Sequence, residues 1–434
     1  MLRRMLISFL LVFAGCSGDS GPVDTTAPSS TTTTGPATET TTTTRPDAVS
    51  SDTSVVQPPE QTLAQEVDEL IDVTERVRGL EFLHSPDVAI QPIDEFREQL
   101  DAKVVEDLDM ELIAAEEKLL ETIGVLDPAQ DLEMILRDLL AQQVLGYYEP
   151  ETKQLFVRDA GVGLSGTDKL TIVHELVHAL TDQYYAWGED FLALVDSESG
   201  DELRALQTVI EGDATFHQSV YMATGMLPSE FGDVLADAAE QQEASRGVPP
   251  ILLESLAFPY TTGALYMQSL SSADIERVYV DPPISTEQIL TRSTEAPIEV
   301  AVPGIELGGY SVVDEFTVGQ GDLEILITSV LDAGTAAAVA DGWGGDRVQW
   351  LWDGNDIVEV TRYIGDTPAD AAEYAEALSR WFASLGSEAS GSGSWQIWRS
   401  EIGFYAYRED GPTLDIMIAS DATAGEAALA QLGA

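Results

Sequence analysis

The sequence predicts an α+β protein: a mainly helical body carrying a small sheet, followed by a small α+β carboxy-terminal domain. Three observations predict it. From about Thr62 into the 270s, apolar residues recur chiefly at helical spacing, beginning with Leu63, Val67, Leu70, Ile71, Val73 and Val77. Within that stretch, the apolar runs Leu145 to Tyr148 and Leu155 to Val157 flank Glu149-Pro150-Glu151-Thr152-Lys153, the signature of a β-hairpin. Beyond about Ile305, hairpin turns at Asp353-Gly354-Asn355-Asp356 and Asp410-Gly411 alternate with helical runs near 321–340, 368–385 and 423–432.

The elements follow in order. Arg3 and Arg4 form a short basic start, Met5 to Ala14 is an apolar run, and Gly15-Cys16 ends it. That is the layout of a secretory signal, too short for a stable membrane span. Val12-Phe13-Ala14-Gly15-Cys16 resembles a bacterial lipobox, although Phe13 stands where Leu is usual. The resemblance implies a signal peptide over 1–15 and lipidation of Cys16, the single cysteine of the chain. One cysteine also excludes an internal disulfide framework and a cysteine-based metal site. Residues 16–61 are rich in Thr, Ser, Pro and Gly and carry too few apolar residues to bury a core, so they read as a tether. About 40 such residues span roughly 35 Å as a flexible coil. These features place the body at the outer face of a cell membrane, held through the lipid on Cys16.

Val88-Ala89-Ile90 is a short strand candidate. Helical runs are expected over 95–122 and 128–144, the latter starting at Pro128 after Asp127. A helix from near Thr167-Asp168 to Tyr185 and another from Asp201 to Ala223 follow the hairpin. Helical segments continue to the 270s, and Pro282-Pro283 breaks the pattern. The expected division is 62–304 for the helical body and 305–434 for the small α+β domain. No internal repeat of fixed period is present, but two hairpin-plus-helix units follow one another in the second part.

Charge narrows the function. The chain of 434 residues carries 76 acidic and 21 basic residues, a formal net charge of −55. Such a surface repels phosphate backbones, so nucleic acid is not expected as a partner. It also repels anionic lipid, so membrane attachment needs something other than basic patches.

The chemistry lies in His174-Glu175-Leu176-Val177-His178. A helix brings residues i and i+4 onto one face, so His174 and His178 can hold one ion together. Glu175 sits beside the first ligand and can reach an activated water without ligating. Ile172, Val173, Leu176, Val177, Ala179 and Leu180 bury the helix, where unpartnered polar groups would be costly. Two histidines are too few for a catalytic zinc, which takes three protein ligands. A third histidine just downstream is absent, since Thr181 and Tyr184 occupy the required places. Glu211, in Glu211-Gly212-Asp213-Ala214, follows Leu206, Val209 and Ile210 on an amphipathic helix and is the best third ligand. Glu198, Glu202, Asp213 and His217 compete for that role.

With these residues placed, the chain resembles the gluzincin type of zinc metallopeptidase, in which HExxH stands on one helix and a glutamate ligand on a second. Glu211-Gly212-Asp213-Ala214 is similar to the Glu-Gly-x-Ala form. More narrowly, the chain resembles a poorly characterised set of bacterial secreted or lipid-anchored proteins. It shares with them Gly146-Tyr147-Tyr148-Glu149-Pro150, His174 to Leu180 with Asp182-Gln183, Glu211 to Ala214, Pro283 to Leu290, and Gly342 to Arg347. The resemblance covers about residues 65–385. It implies a zincin-like catalytic domain, though the narrower set carries no substrate with it; the gluzincin likeness implies hydrolysis of a peptide or protein substrate through a zinc-activated water, with Glu175 as general base. It also implies a downstream Tyr or His that stabilises the oxyanion: Tyr260 is the first choice, with Tyr266 and His217 as alternatives. Many gluzincins place an aspartate four residues after the glutamate ligand to support a histidine. Thr215 stands there, leaving Asp213 or Asp182 for that task. The competing reading is a catalytically degenerate zincin-fold lipoprotein that binds or builds the cell envelope. In another, the carboxy-terminal domain acts, with Trp343, Trp350, Trp352, Trp395 and Trp398 as a ligand platform or as core. The motif also leaves open a non-peptide bond.

Overall fold

The computed structural model describes residues 62–433, apart from 142–144, 162, 196, 198 and 387. The expected signal peptide over 1–15, Cys16 and the expected tether over 16–61 lie outside the described residues.

The chain is α+β, with a helical amino-terminal region and a carboxy-terminal sheet domain. Helix α1 (Leu63–Arg78) starts in a capping box between Thr62 and Gln65 and ends at Gly79, where φ is +78°. Strand β1 (Asp87–Pro92) covers the expected Val88-Ala89-Ile90. The run expected over 95–122 is two helices, α2 (Ile93–Asp107) and α3 (Met110–Thr122). Asp109 makes the break: its carboxylate accepts the N–H groups of Glu111 and Leu112 and so caps a new start. The run expected over 128–144 is the shorter α4 (Leu132–Ala141). Asp127 and Pro128 belong to a turn closed by the Gln130 N–H on the Asp127 carbonyl. The hairpin forms as expected from β2 (Gly146–Glu149) and β3 (Gln154–Asp159), with Lys153 at φ +59° in its turn.

Seven helices follow: α5 (Gly166–Tyr185), α6 (Trp187–Val195), α7 (Gly200–Thr224), α8 (Pro228–Ala244), α9 (Pro250–Gln268), α10 (Ser272–Val280) and α11 (Thr286–Thr291). The first sheet has the order β1-β3-β2. β1 runs parallel to β3 and β2 antiparallel to it, so β1 and β2 are its two edges.

The carboxy-terminal part comprises β4 (Ser311–Phe316), α12 (Gly319–Val330), α13 (Ala333–Asp341), β5 (Trp343–Trp352), β6 (Ile357–Gly365), α14 (Pro368–Ser384), β7 (Glu388–Ser392), β8 (Trp395–Arg399), β9 (Phe404–Asp410), β10 (Thr413–Ala419) and α15 (Ala422–Gln431). The single helical run expected near 321–340 is α12 and α13, because Asp332 accepts the Thr335 N–H and starts a second helix. The strands form one antiparallel sheet in the order β4-β5-β6-β10-β9-β8-β7. The β5-β6-α14 and β9-β10-α15 units follow one another and meet where β6 pairs with β10. All five tryptophans named above are at most 6% exposed, so they are core and offer no surface platform.

One apolar cluster runs across residue 305. Phe96, Leu119 and Leu120 of the helical region share it with Trp350, Trp381 and Tyr405. Two hydrogen bonds seal the contact: the Trp381 indole donates to the Ile123 carbonyl and the Tyr405 hydroxyl to that of Thr122. Glu116 of α3 is 4% exposed here, and its Oε1 has no hydrogen-bond partner. Burial, with smaller contributions from Asp314 and Asp322, pushes its carboxyl up to about 7. The folded state then holds a proton that the unfolded chain releases near pH 4.5, so this group's contribution to stability falls between about pH 4.5 and 7. Glu116→Gln removes that slope. Its urea-unfolding free energy relative to wild type should rise from pH 4 to pH 8 by on the order of 3 kcal/mol.

Two motif segments prove to be architectural. Asp201, at the start of α7, accepts both the N–H and the hydroxyl of Thr286, fixing the start of α11. Asp346 accepts the N–H groups of Val318 and Gly319 and the Trp343 indole. Gly319, at φ +80°, lies against Asp201, where a Cβ would collide with the carboxylate. Pro283–Leu290 and Gly342–Arg347 thus fasten the carboxy-terminal part to the root of α7.

Candidate metal centre

Fifteen of the twenty residues of α5 are buried, among them the polar Thr171, His174, Glu175, His178, Thr181 and Asp182, which therefore need partners in the interior. Ser165 and Asp168 form its capping box, slightly before the expected start. Helix α7 crosses behind it and is itself crossed closely by α9. The α7–α9 approach depends on Gly212 and Gly263. A Cβ on Gly212 would lie 2.4 Å from the Gly263 carbonyl carbon, and one on Gly263 would lie 2.3 Å from the Thr208 oxygen. Gly212 therefore serves packing, one residue from Glu211. Gly212→Ala should cost about 1–3 kcal/mol by overpacking. It should also weaken metal retention, read by urea unfolding and by metal content after dialysis.

The two helices bring His174, His178 and Glu211 together, all at most 1% exposed. One ligand atom from each lies within 4.8 Å of the others. Nε2 of His174 is 3.0 Å, and Nε2 of His178 3.4 Å, from Glu211 Oε2. This buried group can bind a metal ion. The test of fit is its unpaired atoms: His178 Nε2 and Glu211 Oε1 are buried without hydrogen-bond partners. Such atoms are costly in an apolar interior unless something ligates them. The protonation states also suit a cation. Burial, opposed by Glu211, holds the His174 imidazole below its usual range. Burial would raise Glu211, but His178 and His174 outweigh it and bring the carboxyl down to about 2. Neutral imidazole and ionised carboxylate are the forms that coordinate.

Glu175 is fully buried. Its Oε2 accepts the Tyr148 N–H of β2 at 2.7 Å, and Oε1 has no hydrogen-bond partner. Burial first, and then the charge of Glu211, push its carboxyl well above the usual carboxylate range. Tyr260 of α9 lies at the site, its ring centroid 6.0 Å from that of His174. Pro259 lies inside α9, one residue before Tyr260. It cannot donate to the Ser255 carbonyl, which accepts the Arg204 guanidinium instead.

Other candidates fall elsewhere. His217 bonds Asp213, and Tyr266 packs under the Arg292 guanidinium at 4.1 Å. Glu202 and Asp213 are not part of the ligand group, and Glu198 lies outside the described residues. His174 Nδ1 and His178 Nδ1 have no hydrogen-bond partner among the described residues, so neither Asp182 nor Asp213 supports them. Asp182 accepts the Tyr148 hydroxyl and Lys153 Nζ, each at 2.7 Å, and the Gly188 N–H. It thereby pins β2 to α5 and holds the Tyr148 N–H on Glu175. Sequence reasoning missed this pair. Tyr147-Tyr148 and Asp182-Gln183 stand among the shared motifs, and Asp182 is a candidate to support a histidine, but neither signal carries the geometry that joins Asp182 to Tyr148. It also missed Trp187, whose ring stands 5.9 Å from that of His178.

Residues 309–429 match a family described as a domain of unknown function, DUF8575. The matched segment lies within the carboxy-terminal sheet domain and includes none of the metal-site residues. No curated protein and no solved structure matches the chain.

Proposed function

We propose that the protein is a zinc-dependent hydrolase, a gluzincin-like peptidase, held at the outer face of the cell membrane through a lipid on Cys16. The observation that carries the reading is the buried convergence of His174, His178 and Glu211, from two helices, beside an unligated Glu175. The donor set of two imidazoles and one carboxylate suits zinc and leaves a position open for chemistry. A zinc ion, when bound, supplies Lewis-acid polarisation of the scissile carbonyl and of water.

The chain's own residues account for the remaining work. The Tyr148 N–H fixes Glu175 Oε2, which leaves Oε1 to take a proton from the attacking water. Glu175 then passes that proton to the leaving amine. Tyr260 is the proposed donor to the developing oxyanion, supported by its place beside His174. β2 is the sheet edge on this side, which suits an extended peptide as substrate. The location rests on the signal-like start and the position of Cys16. Among the described residues no helix is long and apolar enough to cross a membrane.

The test is incubation of purified full-length protein with a mixed peptide library, with and without a chelator. Chelator-sensitive cleavage, lost in Glu175→Gln, supports the reading. Stoichiometric metal without cleavage supports the degenerate zincin instead.

A further inference from the structure

A second surface lies at the opposite edge of the first sheet from β2. Between α1 and β1 runs a groove of about 730 Å³. Asp68, Glu69, Asp72, Glu75 and Asp87 line it, and among the described residues no lysine or arginine does. Its apolar lining includes Ile71, Val88 and Ile90, each partly exposed. Among the described residues β1 pairs with β3 alone, and no described strand lies along its other edge over its six residues. An unpaired strand edge is a template for another strand, and carboxylates set along it select the charge of what pairs there.

We propose that this groove docks an extended basic segment of a partner polypeptide, which adds as a strand beside β1. Its alternate side chains enter the apolar lining, and its lysines or arginines face Asp68 and Asp72 of α1. Charge decides against two other occupants. A second copy of this chain, at −55, is repelled. The chain's own residues 47–61 carry Asp47, Asp52 and Glu60 and no basic residue. The proposal does not depend on hydrolysis, and the binding test uses a variant that cannot cleave.

The probe is a fluorescent peptide of alternating Lys and Val, about ten residues long, the length of a long strand. Anisotropy is measured with full-length Glu175→Gln protein at physiological salt. Asp68→Lys/Asp72→Lys should weaken binding at least about ten-fold, since it reverses charge at the rim without touching a hydrogen bond. Glu373→Lys/Glu376→Lys, an equal reversal on exposed residues of α14, should leave binding within about two-fold. N-methylation at alternate peptide bonds, which blocks strand pairing, should cost at least about ten-fold. Three results would each overturn the proposal. One is equal loss in the two charge-reversal variants, which would mark attraction by the whole acidic surface. Another is undiminished binding of the N-methylated peptide. The third is displacement of the probe by a peptide of residues 47–61.

Discussion

Glu175→Gln should abolish peptide hydrolysis while leaving the metal in place. General base catalysis contributes typically about 10²- to 10⁴-fold, and here one carboxylate both takes and returns the proton, so the upper part of that range is expected. Glutamine keeps the shape and can still accept the Tyr148 N–H through its carbonyl oxygen, so the fold and the ligand set are undisturbed. It has no carboxylate with which to take a proton. The substitution also removes a buried ionisable group whose charge is disfavoured by burial and by Glu211, so stability should hold or rise. The readout is the rate of cleavage of a peptide found in the library screen, together with zinc content. Full activity with zinc retained would remove Glu175 from the mechanism.

Asp213→Ala should be the most destabilising single change near the site, at about 3–5 kcal/mol. Asp213 and Arg78 have side chains at most 3% exposed and meet at 2.9 Å. The same carboxylate accepts the Tyr279 hydroxyl at 3.0 Å, and His217 Nδ1 lies 2.8 Å from its other oxygen. Burial would raise the Asp213 carboxyl, but His217 and Arg78 more than offset this and hold it below its usual range. Removing it leaves Arg78 buried with, among the described residues, only Glu276 as a salt-bridge partner. The network joins α1, α7 and α10 two residues from Glu211, so its loss should loosen the third ligand as well. Arg78→Met/Asp213→Leu should cost far less than Asp213→Ala alone, because no charge is stranded. Urea unfolding of the variants decides. A cost below about 1 kcal/mol for Asp213→Ala would show that the network does not hold these helices.

The sequence made some of this legible and hid the rest, for physical reasons. Period and caps are local, so α1, the hairpin, α5 and α7 could be placed to within a few residues. The breaks at Asp109 and Asp332 were missed because each is a cap inside a continuous apolar pattern, and only the geometry shows the aspartate accepting backbone N–H groups. At the site, His174 and His178 are fixed by the helical repeat itself. Glu211 follows from an energetic argument, since a carboxylate so near an apolar stripe needs a partner. The grip of Tyr148 on Glu175 could not be read, because it is a backbone donor and carries no residue signature. The roles of Asp182 and Asp213 likewise depend on partners 29 and 135 residues away in the chain. Pro283–Leu290 and Gly342–Arg347 were legible as motifs, but their work is structural, through Asp201 and Asp346.

The central claim is that His174, His178 and Glu211 hold one catalytic zinc. Inductively coupled plasma mass spectrometry on full-length protein, dialysed against metal-free buffer, tests it most directly. The account predicts about one equivalent of zinc per chain in wild type and in Glu175→Gln, and loss of most of it in Glu211→Ala, with all three proteins folded by circular dichroism. Wild-type protein that is folded and active but metal-free, or Glu211→Ala that retains a full equivalent, would contradict it.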